Sequence, residues 1–432
     1  MRHQLFVLVS AASTLLINSA LADPQDATQG VSDWIEQLGS SDAESRISAA
    51  LQLSRLGPDA VAATDVLMVT LGDADPSVRA AAARALGKIG VSDVRVVRRL
   101  IEMLGDSRQT QLRRPVAFIV AGALGDIGEP ALPELLSTLD NKQTELRLGA
   151  MVAISRIGPQ ADKAVPKLIE LMESERGPLR RVAISALGAV GTNSEAAVAA
   201  LIRLLSHEEF GIQVDACRAL AQIGPTAEPA VSELIRLMKE GIASARRNAA
   251  AALGKIGPTI KEAGVNQLSV ALADPNQVVR EDAAVALGRL GPAAASSAPA
   301  LEAALDDPRF DARVKAAWAL WRVSGETERA TEILLAAMVD FERFDDASKV
   351  LKEMGVSAET VAPRLIRLLD SRNPERRRAA AEALGRIGSD LPAIREALED
   401  AQRDVDAKVR QEATWALQSI SEQNAKDRPT SC

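Results

Sequence analysis

Residues 246–258 read RRNAAAALGKIGP, and residues 280–292 read REDAAVALGRLGP. An arginine opens each run, small apolar residues fill it, Ala-Leu-Gly stands near its end, and Gly-Pro closes it. Arg79 to Gly90 and Arg377 to Gly388 keep the same order. Working outward, the stops fall at Gly57, Gly90, Gly128, Gly158, Gly191, Gly224, Gly257, Gly291, Ser324, Gly355, Gly388 and Ser421, most often 33 residues apart. A fixed period between about 20 and 50 residues is the mark of stacked repeats. The expected fold is all-α, an α-solenoid (superhelix) of about twelve helix pairs.

Composition agrees. A chain of 432 residues ordinarily divides into two or three globular domains. A solenoid escapes that limit, because each repeat touches only its neighbours and the core grows along one dimension. Hydrophobic residues make up 47% of the chain but aromatics only 2%, with no Tyr. The apolar material is mostly Ala, Leu, Val and Ile, which suits closely stacked helices better than a sheet sandwich.

One repeat can be built from its residues. Asp75 caps a helix and Pro76 occupies its first turn. Ala82, Ala83, Leu86 and Ile89 share one helical face. Gly90 ends the helix, as glycine does just past a C-terminus. A second helix follows from Arg95 to Leu104, turning Val96, Val97, Leu100, Ile101 and Leu104 inward. Two helices that each bury one face complete their core only by stacking on further pairs.

The arginine eleven residues before the stop recurs as Arg46, Arg79, Arg147, Arg180, Arg246, Arg280, Arg313, Arg377 and Arg410. An acid stands six positions before that arginine at Asp73, Asp274, Asp307 and Asp404. With the Ala-Leu-Gly and Gly-Pro elements, this resembles HEAT repeats, in a bacterial form similar to phycobilisome lyase-like proteins, over roughly residues 32–421. The resemblance implies that Asp and Arg form a hydrogen-bonded ladder between neighbouring repeats, so Asp73, Arg79, Asp274, Arg280, Asp307, Arg313, Asp404 and Arg410 are expected to be structural. It also implies that second helices line a concave side. Three repeats depart from the pattern. The third has Ala117 in the Arg place after a long entry containing Arg113, Arg114 and Pro115. The sixth has Gln213 there, and the tenth has Phe344 within the run Phe341 to Asp346.

The ends carry separate expectations. Arg2 and His3, an apolar stretch from Leu5 to Ile17, and Ala20-Leu21-Ala22 have the anatomy of a signal peptide over 1–22, cleaved at about Ala22. The apolar stretch is shorter than the roughly 20 residues of a membrane span. The expected organisation is then a short linker over 23–31, the solenoid over 32–422, and a polar disordered tail over 423–432. The mature chain is expected in the periplasm or secreted, with no membrane span. Cys432 is open to an intermolecular disulfide, and Cys217 occupies a small, buried repeat position.

Removing Arg2 with the leader leaves 50 basic side chains against 58 acidic ones. That balance is poorly suited to nucleic acid, where neutralising phosphates dominates affinity, and four Trp and six Phe offer little stacking surface. His207 is the only His beyond the leader, so no His-rich metal centre can be assembled. His207-Glu208 is a single pair where HEAT-like iron hydroxylases carry several. No cofactor is expected. The leading expectation is an exported, non-catalytic scaffold binding a protein partner through the concave side. The alternative is an enzyme or cofactor-attachment factor related to HEAT-like lyases or hydroxylases.

Outward positions on the second helices fall nine and twelve residues after each stop. They give Arg99 and Glu102, Lys167 and Glu170, Ala200 and Arg203, Glu233 and Arg236, and Arg364 and Arg367. Candidate partner-binding residues are Arg99, Lys167, Arg203, Arg236, Arg364 and Arg367, together with the pair Trp318 and Trp321. Packing against a neighbour competes with binding as the role of the Trp pair. The cations two before each stop, among them Lys88, Arg156, Arg322 and Arg386, are read as last-turn charges complementing the helix dipole.

Overall fold

The computed structural model describes residues 24–325, 328–338, 358–387, 389 and 391–427. The expected signal peptide, the irregular entry Phe341 to Asp346 and Cys432 lie outside the described residues.

The chain forms two compact units, Met1–Gly191 and Thr192–Cys432. In the first, α1 (Pro24–Gln37) leads into alternating first and second helices. These are α2 (Ala43–Leu56) with α3 (Thr64–Thr70), α4 (Pro76–Ile89) with α5 (Val94–Glu102), α6 (Val116–Ile127) with α7 (Leu132–Thr138), α8 (Thr144–Ile157) with α9 (Val165–Ser174), and finally α10 (Gly177–Val190). The second unit begins with α11 (Glu195–Leu204). It continues with α12 (Phe210–Ile223) and α13 (Val231–Glu240), α14 (Ala243–Ile256) and α15 (Lys261–Ala271), α16 (Gln277–Leu290) and α17 (Ala298–Ala304), and α18 (Phe310–Ser324) and α19 (Glu328–Met338). Then come α20 (Ala358–Leu369), α21 (Pro374–Ile387), α22 (Pro392–Ala401) and α23 (Ala407–Asp427). In each unit, consecutive first helices pack side by side and each lies against its second helix. The fold is an α-solenoid. Among the described residues no single helix is long and apolar enough to cross a membrane.

Both ends differ from expectation. Residues from Pro24 onward are helical rather than a linker, because Pro24 suits a first turn and the helix buries Val31 against its neighbours. The last helix carries on past Ser421 to Asp427, so that serine is no stop.

Local chemistry explains the repeat. Asp75 accepts hydrogen bonds from the Ser77 and Val78 amides at 2.6 and 3.2 Å, with Pro76 in the first turn. Gly90 ends α4 in the left-handed conformation, φ 74° and ψ 30°. The Gly-Pro stops work differently from that expectation. Gly57, Gly158 and Gly291 combine positive φ with ψ between −131° and −144°. The following proline excludes α geometry at the residue before it, and glycine alone takes up this corner readily.

The glycine of Ala-Leu-Gly has another use. A Cβ on Gly87 would lie 2.6 Å from the Cα of Ala123, and one on Gly254 would lie 2.6 Å from the Cα of Ala286. A helical glycine costs about 1 kcal/mol against alanine, and here it lets neighbouring first helices approach backbone to backbone. Leu53, Leu67, Leu86 and Leu100 are fully buried between the layers, each contributing on the order of 1.5–3 kcal/mol.

Candidate protein-binding faces and the ladder between repeats

The Asp and Arg motif forms a ladder with a register the spacing alone does not reveal. Arg46, Arg79, Arg246, Arg280 and Arg377 each pair with the acid of the following repeat, 27 or 28 residues ahead. Arg46 Nε lies 2.7 Å from Asp73 Oδ2 and Arg246 Nε 2.7 Å from Asp274 Oδ2. Arg280 Nε lies 2.6 Å from Asp307 Oδ2 and Arg377 Nε 2.7 Å from Asp404 Oδ2. In all four a second guanidinium nitrogen reaches the other carboxylate oxygen, making the pair bidentate. Within its own repeat the arginine donates to backbone carbonyls. Arg280 Nη1 donates to the carbonyl of Asp274 at 2.9 Å and Arg79 Nη1 to that of Asp73 at 2.8 Å. Arg313 and Arg410 likewise hold the carbonyls of Asp307 and Asp404. Each such rung joins two neighbouring repeats, with Asp274 taken by Arg246 and Asp307 by Arg280.

The acids also shape the loop. Asp73, Asp274, Asp307 and Asp404 each accept the amide two residues on at 2.8 Å, a local turn that delivers the chain to the next helix cap. Burial opposes charge on Asp73, Asp274 and Asp307, but the arginine guanidinium and the turn amide outweigh it and hold these carboxyls below their ordinary range. At Asp404 the Arg377 guanidinium is the leading cause of the same lowering. Asp106, absent from the expected set, takes Arg79 as its rung. Its carboxyl is likewise lowered, against burial, by Arg108 and then Arg79.

Two interruptions are visible. In the third repeat Ala117 replaces the arginine, and its own amide donates to the Asp106 carbonyl at 3.0 Å, supplying the bond a guanidinium makes elsewhere. In the sixth, Gln213 Nε2 donates to the His207 carbonyl at 2.7 Å, but its buried Oε1 has no partner. Glu240, six before Arg246, is the acid that rung would use, and it turns to Arg236 instead.

On the second-helix side the candidate cations are largely matched. Arg99 pairs with Glu102, Lys167 with Asp140 and Glu170, and Arg236 with Glu233 and Glu240. Arg364 pairs with Glu332. Arg203 and Arg367 are exposed, whereas Ala200, expected to face outward, is buried where α11 turns that side inward.

The Trp pair does not form a joint platform. Trp318 covers Gly288 of the preceding first helix, where a Cβ would come within 2.2 Å of its ring. That makes it packing between repeats, on a site left vacant by glycine. Trp321 has the Arg322 guanidinium 5.8 Å from its ring centre. The last-turn cations are engaged too: Lys88 with Asp126, Arg386 with Glu382, and Arg156 over the Phe118 ring at 4.8 Å.

Burial lifts the Cys217 thiol to about 12, so it carries no thiolate for chemistry at neutral pH. Among the described residues no three His, Cys, Asp or Glu side chains are grouped to hold a metal ion.

The HEAT-repeat family model matches residues 31–119, 114–188, 165–254, 231–321, 265–345 and 345–418. The chain belongs to the HEAT-repeat family. Its fold is similar to that of Kap95 in a Kap95:Nup1 complex, at 14% identity and a TM-score of 0.53, covering 94% of this chain and 64% of that one. The crystal structure of an engineered protein aligns at 23% identity over 91% of this chain and 99% of that one, with a TM-score of 0.36. No curated protein sequence matches.

Proposed function

We propose that this HEAT solenoid is an exported, non-catalytic scaffold that binds other proteins through its second-helix side, the concave side in such solenoids. The observation that carries the non-catalytic reading is how the perturbed carboxylates are used. Acids with perturbed titration in a cleft are candidates for chemistry, but the lowered carboxyls of Asp73, Asp106, Asp274, Asp307 and Asp404 are all spent on tying one repeat to the next. Stacked repeats offer extended surfaces of the kind solenoids present to partners. Kap95, similar in fold, is seen with a protein bound. Export rests on residues 1–22, whose charged start, apolar stretch and Ala20-Leu21-Ala22 fit a cleaved leader.

The test has two arms. N-terminal sequencing of native protein should begin at Asp23, and recovery of Met1 from cytoplasmic material removes the export claim. Arg203→Glu with Arg236→Glu places a new acid beside Glu233 and Glu240, which costs well under about 1 kcal/mol on a helix surface. The fold should survive while capture of partners from envelope extract falls. Unchanged capture removes the second-helix side as the binding face.

A further inference from the structure

The long entry of the third repeat is a built feature. Residues 108–116 fold back as a small hairpin-like loop. The Thr110 amide donates to the Arg114 carbonyl at 2.9 Å, the Arg113 amide to the Thr110 carbonyl at 2.8 Å, and the Val116 amide to the Arg108 carbonyl at 3.0 Å. Its tip is tethered across two first helices: the Gln111 amide donates to Ser77 Oγ at 3.0 Å, and Gln111 Nε2 to Glu44 Oε1 at 2.8 Å. Arg113 sits at φ 55°, a conformation unusual for a side chain other than glycine or Asn. A loop held this firmly in a strained turn is a candidate for function.

Between this loop and α2, α4 and α6 lies a cleft of about 220 Å³. That is below the roughly 300–1,000 Å³ of small-molecule sites and suits one or two side chains. Its floor is apolar, from Ile47, Leu51 and Ile119, and Leu112 stands over it 84% exposed. Arg84 and Arg114 line its edge with no carboxylate partner among the described residues, and Arg113 beside them has none either. Glu44, at the start of α2, is occupied by Gln111. In a chain with more acids than bases, an apolar cleft edged by unmatched arginines is a local exception.

We propose that this cleft docks an acidic, extended segment of a partner protein, which inserts one bulky apolar side chain between Leu112 and the α2–α6 floor and lays its carboxylates against Arg84, Arg113 and Arg114. Guanidinium groups bind carboxylates as planar forks, and unmatched cations attract an acidic chain more strongly than pairs that must first be broken. The cleft is lined by first helices and the loop alone, so it is distinct from the second-helix face proposed above.

A fluorescein-labelled peptide of three glutamates, a leucine-phenylalanine pair and three more glutamates tests this by anisotropy with the full chain. Saturable binding that weakens as salt rises is expected, with the same peptide carrying lysines for glutamates failing to bind. Arg84→Glu with Arg114→Glu should weaken binding about tenfold or more, and Leu112→Ser several-fold, both with an unchanged melting curve because these side chains are exposed. Arg203→Glu with Arg236→Glu should leave peptide binding intact. The proposal is overturned by absent saturable binding, by equal affinity for the lysine peptide, or by loss on the second-helix variant. Arginine-dependent binding of anionic vesicles without binding of the peptide overturns it too.

Discussion

The stretch from Arg246 to Asp307 and the stretch from Arg79 to Arg147 solve the same stacking problem with different materials. In the first, side chains do the work: Arg246 to Asp274 and Arg280 to Asp307 are successive bidentate rungs, part-buried at every step. In the second, one rung joins Arg79 to Asp106, and then the arginine is missing. Backbone takes over, with Ala117 and Val116 amides closing the inserted loop. The acceptor place six before Arg147 holds Asn141, not an acid, so no buried carboxylate is stranded. In this third-repeat interruption the guanidinium and the matching charge are both absent, and the inserted length borders a cleft. Regular rungs tie neighbouring repeats through side chains; the third-repeat interruption leaves a cleft beside its loop.

Acid should expose the contrast most broadly, since it acts on every carboxylate rung at once. The lowered carboxyls of Asp73, Asp106, Asp274, Asp307 and Asp404 bind protons less readily in the folded chain than in the unfolded one. Their stabilisation is therefore complete above the ordinary Asp value of about 3.9 and is lost as pH falls through the lower native values. Melting followed by circular dichroism should drop steeply below about pH 4. A melting temperature independent of pH in that range would show the rungs contribute nothing.

Next in size is Arg280→Ala. It leaves the Asp307 carboxylate, 6% exposed, without its guanidinium and frees the Asp274 carbonyl, a loss of about 3 kcal/mol by denaturant unfolding. Gln213→Ala, which removes only a neutral bond to the His207 carbonyl, should cost about 1 kcal/mol. Equal costs at the two positions would erase the distinction between rung and gap.

Much of this was legible in the sequence. Period, caps and core faces follow from Asp75, Pro76, Leu86 and Gly90, because those are local choices. Most of the ladder's members were legible, though not Asp106, and its register was not. Spacing along the chain puts Asp274 nearest Arg280, whereas stacking brings Asp274 to Arg246. Trp318 was ambiguous because its partner is a missing side chain, Gly288. The glycine of Ala-Leu-Gly was read as part of a signature, though its cause is the neighbouring helix backbone. That reading has its own test. Gly254→Ala gains about 1 kcal/mol of helix propensity but drives a methyl to 2.6 Å from the Cα of Ala286. Overpacking of this kind costs about 1–3 kcal/mol, so net destabilisation is expected, and a more stable variant would mean the helices are free to separate.

The smallest effect is the most discriminating, because it converts a gap into a rung. Gln213 already occupies the arginine place and reaches the His207 carbonyl, six residues back, as Arg280 reaches that of Asp274. The residue 27 ahead is Glu240, the same interval that separates Arg280 from Asp307. Glu240 is held by Arg236 on an exposed helix turn, 65% open to solvent, an arrangement worth only a few tenths of a kcal/mol. Gln213→Arg should draw Glu240 inward, remove the buried and unpartnered Gln213 Oε1, and leave Arg236 with Glu233. The expected gain is no more than about 1 kcal/mol, read as a small rise in melting temperature that high salt reduces and that Glu240→Gln abolishes. A loss of stability would mean that the sixth repeat is spaced too widely for a guanidinium to bridge. The interruption would then be a change in stacking geometry and not merely an omitted side chain.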